Sequence, residues 1–207
     1  MKPAFPLRHA VIAFVLAALA AGAGHSRGQT VPDGHLAIDR AEYLTPEEAT
    51  AAHVQLAEDM ERQFDLAESN PARGYLSWER YNSVPYLSSS HGNRYVSNYA
   101  NRLASSYGDL GSADGMPPGA VIAKDSFTVV DDGKVLPAPL FVMEKLPPGS
   151  DAATADWRYL MILPDSTMFG DSRGAGAERV GFCHSCHERA SATDYLFGVP
   201  RAHAREQ

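Results

Sequence analysis

Cys183-His184-Ser185-Cys186-His187 is a C-x-x-C-H run, and it holds both cysteines of a 207-residue chain. Two thiols at this spacing can each add across one vinyl group of a haem, and the histidine that follows then falls beneath the iron as its proximal ligand. The run therefore points to covalent haem c, one per chain, held by Cys183 and Cys186 with His187 on the metal. Other chemistries use a close cysteine pair. A structural zinc site needs four Cys or His ligands, and only the distant His91 or His203 could complete one. A thioredoxin-like pair belongs on a helix after the first strand of a β-α-β unit, whereas this pair lies near the end of the chain with no such unit before it. A plain disulfide leaves His187 without a reason.

Working outward, the N-terminus agrees with that chemistry. Lys2 and Arg8 precede the apolar run from residue 10 to 21, and Ala21-Gly22-Ala23 offers small residues for cleavage. Residues 1–23 read as a secretory signal peptide, which places the protein in the periplasm, where c-type haem is attached. The run is shorter than the ~20 residues a bilayer-spanning helix needs, so no stable membrane span is expected. Net charge is −7, and loss of Lys2 and Arg8 takes it to about −9. That balance excludes nucleic acid as a partner, since such binding wants clustered Lys and Arg. It permits docking to basic electron-transfer partners.

Residues 24–44 lack periodicity and read as a flexible lead-in, and 45–200 as one domain. The span 45–69 is predicted to be a helix: Thr45 and Glu48 form a capping box, Pro46 sits at the first turn, and Asn70-Pro71 stops it. Leu56, Met60 and Phe64 give its core stripe, with Val54, Ala57 and Leu66 beside them. Residues 73–107 are rich in tyrosine, with a short helix expected over 98–107. Residues 120–130, 140–146 and 157–163 are rich in β-branched and aromatic side chains and are joined by connections too short for helical crossovers, so they read as an antiparallel meander. Residues 164–179 read as irregular, and 201–207 as a frayed tail. The fold class is α+β: an antiparallel sheet flanked by helices, ending in the C-x-x-C-H segment.

Four segments in this order carry a resemblance. They are His91-Gly92-Asn93-Arg94 with Tyr99-Ala100-Asn101; Pro118 through Asp125; Met143-Glu144-Lys145 with Asp156-Trp157-Arg158-Tyr159; and Cys183 to His187 followed by Asp194-Tyr195-Leu196-Phe197. Together they resemble the cytochrome P-460 family, which includes cytochrome c′-beta. The resemblance implies a small antiparallel sheet with helices, often a homodimer, and a five-coordinate haem with one open iron face. It implies oxidation of hydroxylamine or a related small nitrogen compound, with electrons passed to a soluble acceptor cytochrome, or nitric oxide binding without turnover.

In the hydroxylamine-oxidising branch a lysine also bonds to the haem ring, and Lys124 matches it by position. Strand alternation puts Lys124 with Ile122, Ser126 and Thr128, opposite the more core-like Val121, Ala123, Phe127 and Val129, so the residue pattern alone turns it to solvent. That branch also uses a carboxylate above the iron as proton acceptor. Glu178 is the nearest acid before the motif and is the candidate for that role. A six-coordinate electron carrier is the third reading, with a sixth ligand from Met116 or Met168, which lie in loops, or from Met143 or Met161, which lie in strands.

Overall fold

The computed structural model describes residues 43–111, 115–130 and 133–206. The leader expected at 1–23, and the lead-in up to residue 42, lie outside them. Helix α1 spans Pro46–Phe64 and starts as its sequence demands. Thr45 Oγ1 accepts from the Glu48 N–H at 3.3 Å, and the Glu48 carboxylate accepts from the Thr45 N–H at 2.8 Å. Both bonds satisfy donors that the first turn leaves without helical partners. Thr45→Ala is therefore expected to lower stability by about 1 kcal/mol, read from the denaturant midpoint.

The helix stops at Phe64, short of Ser69. Asn70 Nδ2 donates to the Phe64 carbonyl at 3.0 Å, the Asp65 carboxylate accepts from the Gly74 N–H at 3.1 Å, and Ser69 takes a left-handed φ of 57°. These side-chain bonds replace the next helical turn. The buried stripe is Ala49, Ala52, His53, Ala57, Met60 and Phe64. Val54 and Leu66, expected beside it, point outward at 69% and 68% exposure.

Seven strands form one antiparallel sheet: β1 (Glu79–Arg80), β2 (Tyr86–Ser88), β3 (Arg94–Ala100), β4 (Val121–Val129), β5 (Val135–Lys145), β6 (Trp157–Ile162) and β7 (Met168–Asp171). Their order is β1-β3-β4-β5-β6-β7, with β2 also on β3. The meander β4-β5-β6 is the one expected. Strand β5 begins earlier, at Val135, and runs through Pro137 and Pro139. Strand β6 pairs with β5 only from Leu140 onward, so the prolines lie where β5 has a single neighbour, β4, and need not donate on both sides.

Four further strands, β1, β2, β3 and β7, lie outside the three runs read from the sequence. Every residue of β3 is buried, so its pattern does not alternate between apolar and polar. Asn98 is paired inside the fold: it takes a hydrogen bond from Tyr86 and donates to Tyr107. The helix expected at 98–107 is a 3-10 segment, Arg102–Gly108, that starts only after β3 ends. The span 164–179 contains β7 and the start of α2 (Ala177–His187). The tail is also tied down, since the Ser83 N–H donates to the His203 carbonyl, the Arg205 N–H donates to that of Tyr81, and the His203 ring stacks on Tyr86 at 4.9 Å.

The sheet has two apolar faces. Val121, Ala123, Leu140, Val142, Leu160 and Ile162 pack with Met60 and Phe64 of α1. Ile122, Met143, Trp157 and Tyr159 face the other way, toward Leu196 and Cys183. The fold is thus an α+β domain with the C-x-x-C-H helix on the face opposite α1. Among the described residues no helix is long and apolar enough to cross a membrane.

Candidate haem site

Helix α2 lies directly on β7 because Gly170 has no side chain. A Cβ there would meet the Gly176 carbonyl oxygen at 2.5 Å and a Val180 methyl at 2.8 Å. This close approach presents Cys183, Cys186 and His187 to a cavity of about 430 Å³ between α2 and the sheet. Such a volume falls within the range of ordinary cofactor sites. Cys183 and Cys186 are one helical turn apart, unpaired with each other, and both line the cavity. Burial pushes the Cys183 thiol up to about 12, so it is held neutral.

His187 is set for a metal. Its Nδ1 lies 2.7 Å from the Tyr195 carbonyl, which accepts the N–H and leaves Nε2 as the lone-pair nitrogen. Burial is the main cause that pulls its pKa down to about 4, against the opposing pull of that carbonyl. The ring is thus neutral at physiological pH, as a ligand must be.

The carbonyl is aimed by an unusual turn: Asp194 and Tyr195 both have left-handed φ, 51° and 64°. Asp194 anchors it by accepting from Lys145 Nζ at 2.6 Å and from the Met116 N–H at 2.7 Å, while its own carbonyl accepts from Trp157 Nε1 at 2.9 Å. The resemblance pointed to Lys145, Trp157 and Asp194 as motif residues. Their joint work in holding one turn beneath His187 was not visible until the chain was folded.

Lys124 lies inside this cavity. Its strand neighbour Ile122 and its cross-strand partner Phe141 also line the wall, so the face assigned to water is the cavity face. Burial pulls its ammonium down to about 8, opposed by Cys186 nearby. Its Nζ lies 3.4 Å from His91 Nε2. The remaining wall is largely apolar, from Met143, Phe182, Leu196 and Phe197, with Tyr86 and Tyr107 from the tyrosine-rich segment. Arg189, missed in the sequence, stands at the exposed rim, where a guanidinium suits a carboxylate.

Other expectations fail here. Glu178 sits on the first turn of α2 with its side chain 76% exposed, next to Arg179, and does not line the cavity. It is not placed to accept a proton above an iron, because α2 turns its N-terminal acidic residue outward and its C-terminal face inward. Among the described residues no Asp or Glu lines the cavity. Met116, Met161 and Met168 do not line it either; of the four methionines considered only Met143 does. His184 stacks on Tyr195 at 5.6 Å and stays outside the lining.

A paired-thiol helix, an imidazole oriented by a carbonyl, and an apolar cavity of this size fit a c-type haem and define a small haem-binding cytochrome domain. The chain belongs to the cytochrome P460 family, whose model matches residues 72–198. A search of curated proteins finds no match. The matched span takes in the whole sheet, α2 and the cavity lining apart from Pro200, and leaves α1 outside.

Proposed function

We propose that this protein is an exported, periplasmic cytochrome with one covalent haem c, which oxidises hydroxylamine or a related small nitrogen compound at an open iron face and passes electrons to a soluble acceptor cytochrome. Cys183 and Cys186 would hold the group, His187 Nε2 would ligate its iron, and Arg189 would meet its carboxylates. The haem supplies the redox chemistry. The observation that carries the enzymatic reading is Lys124: a desolvated amine inside the cavity, with Cys186 and His187 close enough to act on its charge or be acted on by it. Bonding to a ring carbon requires the neutral amine, and a pKa near 8 makes that form accessible at neutral pH.

A second reading, nitric oxide binding without turnover, is favoured by one fact: the described cavity lining holds no carboxylate. The test is Lys124→Leu in protein matured by a c-type attachment system. The enzymatic reading expects wild-type haem to be reduced on adding hydroxylamine, and the variant to lose both the red-shifted Soret band and most of that reduction. Identical ordinary spectra, with no reduction of either protein, would leave the nitric oxide reading in its place.

A further inference from the structure

His91 lines this cavity, and the resemblance that includes it in a motif gives it no role. It follows β2, at the end of a 3-10 turn, Ser89–His91. Its ring meets Phe141 edge-on at 5.0 Å, which fixes its plane. Its Nδ1 lies 3.0 Å from Ser88 Oγ and 3.2 Å from Ser90 Oγ. Its Nε2 is 3.4 Å from Lys124 Nζ. Ser88, Ser90, His91 and Lys124 all line the cavity, and Ser90 is exposed on the outer surface. The imidazole therefore stands between the Lys124 nitrogen and two serine hydroxyls, of which Ser88 is buried and Ser90 exposed. In the tautomer with its proton on Nδ1, that nitrogen donates to a serine hydroxyl and Nε2 is a base. Nε2 then faces the Lys124 nitrogen on the cavity side.

We propose that His91 is the proton acceptor of this cavity: Nε2 takes the proton that a small protic ligand sheds as it binds, and Nδ1 hands a proton to Ser90 and solvent. The bond that breaks is the ligand's own bond to hydrogen. Its electron pair stays with the ligand, and the imidazolium formed relaxes by losing the Nδ1 proton outward. The assignment rests on the reading of the cavity as a haem site, and it supplies the base that Glu178 cannot.

Two probes separate this role from a structural one. Hydrogen cyanide must lose its proton to bind oxidised iron, whereas nitric oxide carries none. Rapid mixing of each with matured protein gives two association rates, cyanide with the oxidised form and nitric oxide with the reduced form. His91→Gln is expected to lower the ratio of cyanide to nitric oxide rates by roughly 10²-fold, the usual contribution of a positioned base. Ser90→Ala, an exposed change that should not disturb folding, is expected to lower the same ratio by less. A ratio unchanged within about twofold in both variants, or two rates that fall together, would overturn the assignment. Wild-type protein that shows the expected ratios yet leaves hydroxylamine untouched would remove the enzymatic reading and keep His91 as the acceptor.

Discussion

Replacing Cys183 and Cys186 together by Ala is expected to yield protein from which all haem is extracted by acidified acetone, where the wild type keeps it. The two thiols are the only cysteines in the chain, and both open onto the one cavity that also holds a histidine with its Nδ1 tied to a carbonyl. Alanine removes both sulfur atoms that could bond the vinyl groups and changes little else, because both positions lie within α2 and alanine favours helix. Haem still attached to the double variant points to Lys124 as a second anchor. Adding Lys124→Leu should then release it. Haem that survives all three substitutions contradicts the site.

The second large effect lies across the sheet. Asp125, next to Lys124 in β4, points to the opposite face and is fully buried. Its Oδ2 lies 2.8 Å from His53 Nε2 on α1 and accepts from the Tyr75 hydroxyl at 3.1 Å. Tyr99 OH lies 3.4 Å from the same His53 nitrogen. Burial first, then the Asp125 carboxylate, hold the Tyr75 hydroxyl far above its ordinary pKa. Asp125→Ala leaves the Tyr75 hydroxyl buried without its acceptor and His53 with only the longer Tyr99 contact, and is expected to cost about 1–3 kcal/mol for each group that loses its partner. Asp125→Asn keeps an acceptor and the volume and should cost less, since it leaves fewer groups unpaired. Denaturant midpoints of the haem-loaded protein measure both. A loss under about 1 kcal/mol for the alanine variant would show that water reaches the cluster.

The parts of this fold that were legible in the sequence are those with a local chemical signature. Thr45 and Glu48 announce a helix start because the capping bonds span three residues. The three apolar runs announce strands because short connections leave them only antiparallel pairing. Strand β3 was missed because it is buried on both faces, with Ser97 and Asn98 satisfied by partners distant in the chain. The early start of β5 lies outside the run read from 140 to 146: it holds Pro137 and Pro139, and the fold gives that half of the strand one neighbour, β4. The five-residue overshoot of α1 past Phe64 came from reading Asn70-Pro71 as the stop, when Asn70 acts back on Phe64 through its side chain.

The site divides in the same way. The attachment residues are consecutive, so spacing alone located them. Lys124 was placed by family resemblance, while alternation turned it to solvent; alternation cannot tell a wet face from one covered by a distant helix. Glu178 was nominated by proximity along the chain, and α2 turned it outward. His91 was first considered as a zinc ligand and as a resemblance residue. Its pairing with Lys124 spans 33 residues and exists only because β2, β3 and β4 are neighbours.

The open iron face beside these residues is the central claim, and the absorption spectrum of the reduced, matured protein before and after nitric oxide tests it most directly. The account predicts a high-spin haem with a red-shifted Soret band that changes at once on adding nitric oxide. A low-spin, six-coordinate spectrum that nitric oxide leaves untouched would contradict it and hand the sixth position to a side chain, with Met143 the methionine that lines the cavity.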